Sequence, residues 1–124
     1  MNTIKTFMLL LVIATICACS NDDAPKNNAP VLEDMVLDVR ENISSDLITT
    51  LNATDVDGDK LTYSIVSQNP ANSVTIGETT GEVFVANASA FDYDNNQRIT
   101  VIIKINDGTV DVTMQLTINI IENV

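Results

Sequence analysis

The sequence is poor in the residues that usually carry chemistry. It has no histidine and no tryptophan, only two cysteines, and six Lys and Arg against 17 Asp and Glu. With no imidazole, the commonest general base is missing. Both cysteines, Cys17 and Cys19, lie near the N-terminus, so the chain from Ser20 onward has no disulfide, thiolate metal site or thiol nucleophile. No glycine-rich phosphate loop is present, and a two-carboxylate hydrolase needs a cleft that a small β domain rarely offers. These gaps argue against an enzyme. The shortage of Lys and Arg argues against nucleic acid, whose phosphates need them. A formal net charge of −11 favours cations as partners instead.

No apolar run reaches the roughly 20 residues needed to span a bilayer. The longest, residues 7–16, follows a single Lys5 and has the length of a secretory h-region. Residues 1–18 are therefore read as a leader. Ile16-Cys17-Ala18-Cys19 resembles the bacterial lipobox, in which a small residue precedes an obligatory cysteine. That resemblance implies a mature chain beginning at lipidated Cys19. Two or more acyl-type chains hold a protein stably on a membrane. Ser20-Asn21-Asp22-Asp23 resembles the acidic signals that send some Gram-negative lipoproteins to the outer face, although a plain solvated linker fits it equally well. The implied location is the bacterial outer membrane, lipid-anchored and surface-exposed. Residues 19–27 would be the lipidated cysteine and flexible tether. The Pro- and Asn-rich stretch 20–30, fully extended, reaches roughly 30–40 Å at about 3.3–3.6 Å per residue. Residues 28–124 are expected to form one domain; in the mature chain 19–124, with Lys5 removed, five basic side chains face 17 acidic ones, a net of −12.

Within that domain, period-two patterning dominates. Val110, Val112, Met114, Leu116, Ile118 and Ile120 alternate with polar residues, and one segment earlier Ile99, Val101, Ile103 and Ile105 alternate with Arg98, Thr100, Ile102 and Lys104. Asn106-Asp107-Gly108-Thr109 joins them, and Asp-Gly suits a tight hairpin turn. Further strands are expected over 35–39, 47–53, 61–66, 74–76 and 82–85. Seven short strands with turns about every ten residues predict an all-β, seven-stranded Greek-key β-sandwich of immunoglobulin-like type. Leu51, Leu61, Tyr63, Ile65, Val83, Val85, Val101, Ile103, Val112, Met114 and Leu116 are the expected inward residues.

One stretch carries an unusual load: Asp55-Val56-Asp57-Gly58-Asp59 places three carboxylates in five positions. Two carboxylates about 4 Å apart repel by roughly 4 kcal/mol at an effective dielectric of ~20, so such a cluster wants water or a cation. Singly, each Asp also suits a turn, because its side chain caps its own backbone. An EF-hand needs Gly at position six and Glu at position twelve; counted from Asp55, Lys60 and Val66 stand there.

Seven motifs in order resemble a cadherin repeat over 27–124. They are Asn28-Ala29-Pro30, Val39-Arg40-Glu41-Asn42, Leu51-Asn52-Ala53-Thr54-Asp55-Val56-Asp57-Gly58 (the Gly one place early), Leu61-Thr62-Tyr63-Ser64-Ile65, Thr80-Gly81-Glu82-Val83, Phe91-Asp92-Tyr93-Asp94 and Ile105-Asn106-Asp107-Gly108. The resemblance implies calcium ligands at two ends of the sandwich. Glu41, Asp92 and Asp94 would line the C-terminal end. Asp55, Asp57 and Asp107, with the Asn28 carbonyl, would line the N-terminal end. Asn27 replaces the family's usual Asp, and the chain closes at Ile121-Glu122-Asn123-Val124 without the family's later linker acids. Each end is then expected to be a half-site, binding Ca²⁺ weakly, at about 10⁻⁴–10⁻³ M. The implied function is a membrane-anchored surface module for cell adhesion or protein–protein, including homophilic, contact. The alternatives are a passive spacer, a fragment of a multi-repeat protein, or a carbohydrate-contacting module using Phe84, Phe91, Tyr63 or Tyr93. The formal glycosylation sequons at Asn42, Asn52 and Asn87 are accidental in a bacterial lipoprotein.

Overall fold

The computed structural model describes residues 25–43 and 46–124. The leader, Cys17, Cys19, the tether up to residue 24 and Ser44 lie outside the described residues. Seven strands form two sheets: β1 (Met35–Arg40), β2 (Leu47–Thr50), β3 (Thr62–Asn69), β4 (Val74–Ile76), β5 (Glu82–Val85), β6 (Arg98–Asn106) and β7 (Asp111–Ile121). One sheet runs β1-β7-β6-β3 and the other β2-β5-β4. β1 pairs parallel to β7, while the other pairings are antiparallel. β3 and β2 pair with β6 and β5 rather than with their sequence neighbours, as in a Greek key. This is the all-β sandwich that the alternation predicts.

The core follows from that alternation. Ile99, Val101, Ile103 and Ile105 of β6 and Met114, Leu116, Ile118 and Ile120 of β7 point inward, against Leu51, Val74 and Val83 from the other side. Each such side chain contributes about 1.5–3 kcal/mol of burial. With no tryptophan or disulfide in the domain, this aliphatic layer holds the sheets together. Leu61, Ile65, Val85 and Val112, expected inward, sit half-buried at its margin.

Three boundaries differ from expectation, each for a local reason. β2 stops at Thr50 instead of 53, because the next backbone groups find partners elsewhere. Leu51 N–H donates to the Gly81 carbonyl (2.9 Å), Ala53 N–H to the Tyr63 hydroxyl (3.3 Å), and Thr54 bridges to Val31. β3 continues to Asn69, past a bulge between Ile65 and Ser67. The β6–β7 connection is a four-residue loop, 107–110, wider than a two-residue Asp-Gly turn. The Asp107 carboxylate fills it, accepting N–H bonds from Thr109 (2.8 Å) and Val110 (2.7 Å).

These pairings create two poles. Thr62 opposite Asn106 sets the 55–61 loop beside the 107–110 loop. At the other end, Arg40 opposite Ile121 and Arg98 opposite Asn119 gather Glu41, the 91–97 segment and the chain's last residues.

Candidate metal centre at the N-terminal pole

The 55–59 loop is a turn built by its own first acid. The Asp55 carbonyl accepts the Gly58 N–H (3.1 Å), and Asp55 Oδ1 accepts the Asp57 N–H (2.8 Å). Gly58 supplies the left-handed φ of +75° that closes it. The turn folds the three acids together: one carboxylate oxygen from each of Asp55, Asp57 and Asp59 lies within 4.8 Å of the others. Among the described residues this is the only such group of three potential metal ligands. Asp55 Oδ2 is buried and has no hydrogen-bond partner. A buried acceptor left unpaired costs about 1–3 kcal/mol, and more when charged.

The segment before β1 closes over the group. Asn28 N–H and Nδ2 donate to Asp57 Oδ2 (2.6 Å) and Oδ1 (3.0 Å), and Asn27 Nδ2 donates to Asp107 Oδ2 (2.9 Å). Asn28 is thus held against Asp57 through its donors. Asn27, where the family's usual acid is replaced, is the residue that reaches Asp107.

The two outer acids respond oppositely. Asp59 has its carboxyl held above the ordinary range, by desolvation first and then by the charges of Asp55, Asp57 and Asp107. Asp107 is held below it, by the Val110 N–H first, then by the Asn27 amide and the Thr109 N–H, against desolvation. Asp107 is not one of the three clustered acids, although its charge is the last of those acting on Asp59. Asp59 was not among the expected ligands. The family pattern supplies two acids at this loop, and the only signal for a third was its place in the five-residue run.

The expected C-terminal group is looser. Glu41 Oε2 accepts the Tyr93 N–H (3.2 Å) and Oε1 the Asn123 N–H (3.0 Å). Asp92 accepts the Asp94 N–H (3.0 Å) and the Asn95 amide (2.6 Å). The elements bring Glu41 beside the 92–94 turn, but each carboxylate of Glu41 and Asp92 is already occupied by donors. Asn123, not foreseen, closes the pole by also donating its amide to the Glu41 carbonyl (3.0 Å). Phe91 is 1% exposed and Tyr63 is core, so neither offers a face to a sugar; Phe84 and Tyr93 are half-buried.

The N-terminal group fits a hard cation. Ca²⁺ takes six to eight oxygens and tolerates irregular geometry. Three clustered carboxylates, one with an orphaned buried oxygen, supply oxygen donors and an excess of negative charge.

Comparison with known proteins agrees with this architecture. The sequence profile described as "Cadherin domain" matches residues 36–121. Mouse protocadherin-15 is 33% identical over 75 residues, covering 60% of this chain and 4% of that protein. The Drosophila melanogaster Fat-like cadherin-related tumor suppressor homolog is 30% identical over 100 residues, covering 77% of this chain and 2% of that protein. The crystal structure of human protocadherin-24 EC1-2 (form II) superposes with a TM-score of 0.69 at 26% identity, covering 77% of this chain and 45% of that one. Drosophila N-cadherin EC1-4 superposes at 0.62 and 22% identity, over 77% of this chain and 25% of that one, a likeness of fold. The chain thus spans 2–4% of these curated relatives and less than half of these solved structures. With the profile match covering most of the seven-stranded domain and the acidic pole in place, the chain belongs to the cadherin domain family.

Proposed function

We propose that the chain is an extracellular interaction module whose N-terminal pole binds Ca²⁺ through Asp55, Asp57 and Asp59, with Asp107 adding charge from the neighbouring loop. The observation that carries this reading is Asp55 Oδ2: a buried carboxylate oxygen with no donor, inside a group of three acids. A divalent ion there would supply positive charge to that oxygen and relieve the mutual repulsion. Asp55 orients the loop through its other oxygen, and Asn27 and Asn28 tie the incoming segment to it. Binding would stiffen the join between domain and tether. Glu41, Asp92 and Asp94 form a weaker second site in this reading, because donors already satisfy Glu41 and Asp92.

Cadherin domains are adhesion and protein-contact modules, and membership argues against an enzyme. Adhesion through a protein partner, including a second copy, is the proposed role here. Among the described residues no helix is long and apolar enough to cross a membrane. Attachment through lipidated Cys19 at the bacterial outer membrane rests on the lipobox-like residues 16–19.

The test is thermal unfolding of the full chain in mild detergent, with Ca²⁺ or with chelator. At ~1 mM Ca²⁺ and a Kd of ~0.1 mM, the ion should add about 1.4 kcal/mol. Superimposable melting curves would overturn the metal site. Aggregation of coated beads only when Ca²⁺ is present would support adhesion; dispersal under both conditions would leave a spacer.

A further inference from the structure

The chain contains two Asp-Gly pairs, Asp57-Gly58 and Asp107-Gly108. At such a pair the unbranched glycine lets its main-chain nitrogen swing toward the aspartate Cγ. The nitrogen attacks Cγ, forming a C–N bond. One carboxyl oxygen leaves as water, carrying the amide proton and the carboxyl proton, and a five-membered imide remains. Water then opens the ring. Attack at Cγ restores aspartate. Attack at the former main-chain carbonyl carbon gives isoaspartate, in which the chain runs through the old side chain. One water leaves and one returns, so no oxidant or co-reactant is needed.

The fold treats the two pairs differently. Asp107 is 7% exposed. Its carboxylate accepts three donors, the Thr109 and Val110 N–H groups at 2.8 and 2.7 Å and the Asn27 amide at 2.9 Å. The attacking nitrogen is tied as well, since Gly108 N–H donates to Asn106 Oδ1 at 2.7 Å. Both reacting groups must therefore be released before they can meet. Asp57 is exposed at the tip of its turn. The Gly58 N–H makes one longer bond, 3.1 Å, to the Asp55 carbonyl. Nothing stands within 4 Å of where a side chain would begin at either Gly58 or Gly108, so both glycines have room to turn and the difference between the pairs lies in the aspartates and in how the glycine nitrogens are held. The Asp57 carboxylate is held only by Asn28, from a segment outside the strands.

We propose that Asp57-Gly58 is this chain's site of spontaneous isoaspartate formation, and that the fold protects Asp107-Gly108. The product displaces the carboxylate by one methylene and extends the backbone of the turn. The Asn28 clamp on Asp57 is lost with it, so ageing detaches the incoming segment from the pole. None of this depends on a cation being bound.

The experiment is incubation of the full chain in heavy-oxygen water with chelator, at neutral pH and physiological temperature, followed by peptide mapping. Each ring opening inserts one heavy oxygen at the reacting pair. The guanidinium-unfolded chain is the reference, in which both pairs should label at comparable rates. In the native chain the 57–58 peptide should gain at least roughly tenfold more label than the 107–108 peptide, since Asp107 is buried and its own loop must open to free it, whereas Asp57 is already exposed and is held by Asn28 alone. Asp57→Glu, which cannot form the five-membered ring, should remove label from the first peptide. Equal labelling of the two pairs, faster labelling at Asp107, or a native 57–58 peptide without label while the unfolded chain labels would each overturn the proposal.

Discussion

Asp55→Asn separates a cation ligand from an ordinary turn residue, because the two roles predict opposite signs. Asparagine keeps the Oδ1 that accepts the Asp57 N–H, so the turn itself is preserved. It replaces the orphaned Oδ2 with an amide that can donate to the neighbouring carboxylates. Two unit charges at 4.8 Å, the outer limit of the oxygen separations within this group, repel by about 3 kcal/mol at an effective dielectric of ~20. The loop is open to solvent, and screening reduces this to about 1 kcal/mol. In chelator the variant should therefore be more stable than the parent by about 1 kcal/mol, or roughly 4–8 °C in Tm for a domain of this size. In excess Ca²⁺ the order should reverse. At 100 times the parent's Kd the ion contributes about 2.7 kcal/mol, most of which the variant forfeits. Differential scanning fluorimetry of both proteins over a Ca²⁺ series would show the curves crossing. A variant less stable than the parent in chelator, or one retaining the parent's whole Ca²⁺ shift, would refute the reasoning.

Gly81 and Gly58 both have left-handed φ, +71° and +75°, yet their alanine variants should differ in urea midpoint. A Cβ at Gly81 would lie 2.5 Å from the Leu51 carbonyl oxygen, whereas one at Gly58 meets nothing within 4 Å. Gly58→Ala should cost about 1–2 kcal/mol of backbone strain, and Gly81→Ala a further ~1–3 kcal/mol of overpacking; equal midpoints would show that the close approach is absent in solution. Acid titration of unfolding should expose Asp107 and Asp59 with opposite signs. The depressed Asp107 pKa gives stability that is present above the unfolded value of ~3.9 and lost as pH falls through the lower folded value. Asp107→Asn should therefore weaken the protein at neutral pH and reduce its acid sensitivity below about pH 4. The raised Asp59 pKa means that the folded state favours the proton, so its neutral-pH penalty is relieved as pH falls through that raised value, and Asp59→Asn should stabilise at pH 7 in chelator. Cys19→Ala should move the protein from the membrane fraction to the soluble one, and unchanged fractionation would count against lipidation at that residue.

What could be read from the chain, and what could not, divides by the range of the interaction. β6 and β7 were legible because a half-buried strand writes its environment into its own alternation. Val101, Ile103, Met114 and Leu116 needed no partner to be recognised as core-facing. The end of β2 was not legible, because it is decided by the Gly81 carbonyl and the Tyr63 hydroxyl, neither visible from residues 47–53. Phe91 read as a free aromatic for the same reason: its burial depends on how the 88–91 turn sits against the strands.

The acidic pole shows the same division more sharply. Residue types and motif order implied that Asp55, Asp57 and Asp107 converge; strand register sets their loops side by side, and the close group itself is Asp55, Asp57 and Asp59 without Asp107. Whether each oxygen is satisfied is a different question, and motif order is silent on it. Glu41 and Asp107 find backbone and amide donors, and Asp57 finds Asn28, whose bonds an ion at this pole would have to share or displace, so the poles differ in Asp55 alone. Asp55 Oδ2 is not answered. A cation site therefore belongs where acids remain after the protein's own donors have been assigned. By that criterion the two poles are unequal, although their motifs alone give them the same standing: Ca²⁺ should bind first, and more tightly, beside Asp55. Separate titrations of Asp55→Asn and Glu41→Gln would check this order. Loss of the higher-affinity phase in Glu41→Gln, with Asp55→Asn unchanged, would mean that unsatisfied oxygens do not locate the ion in this fold.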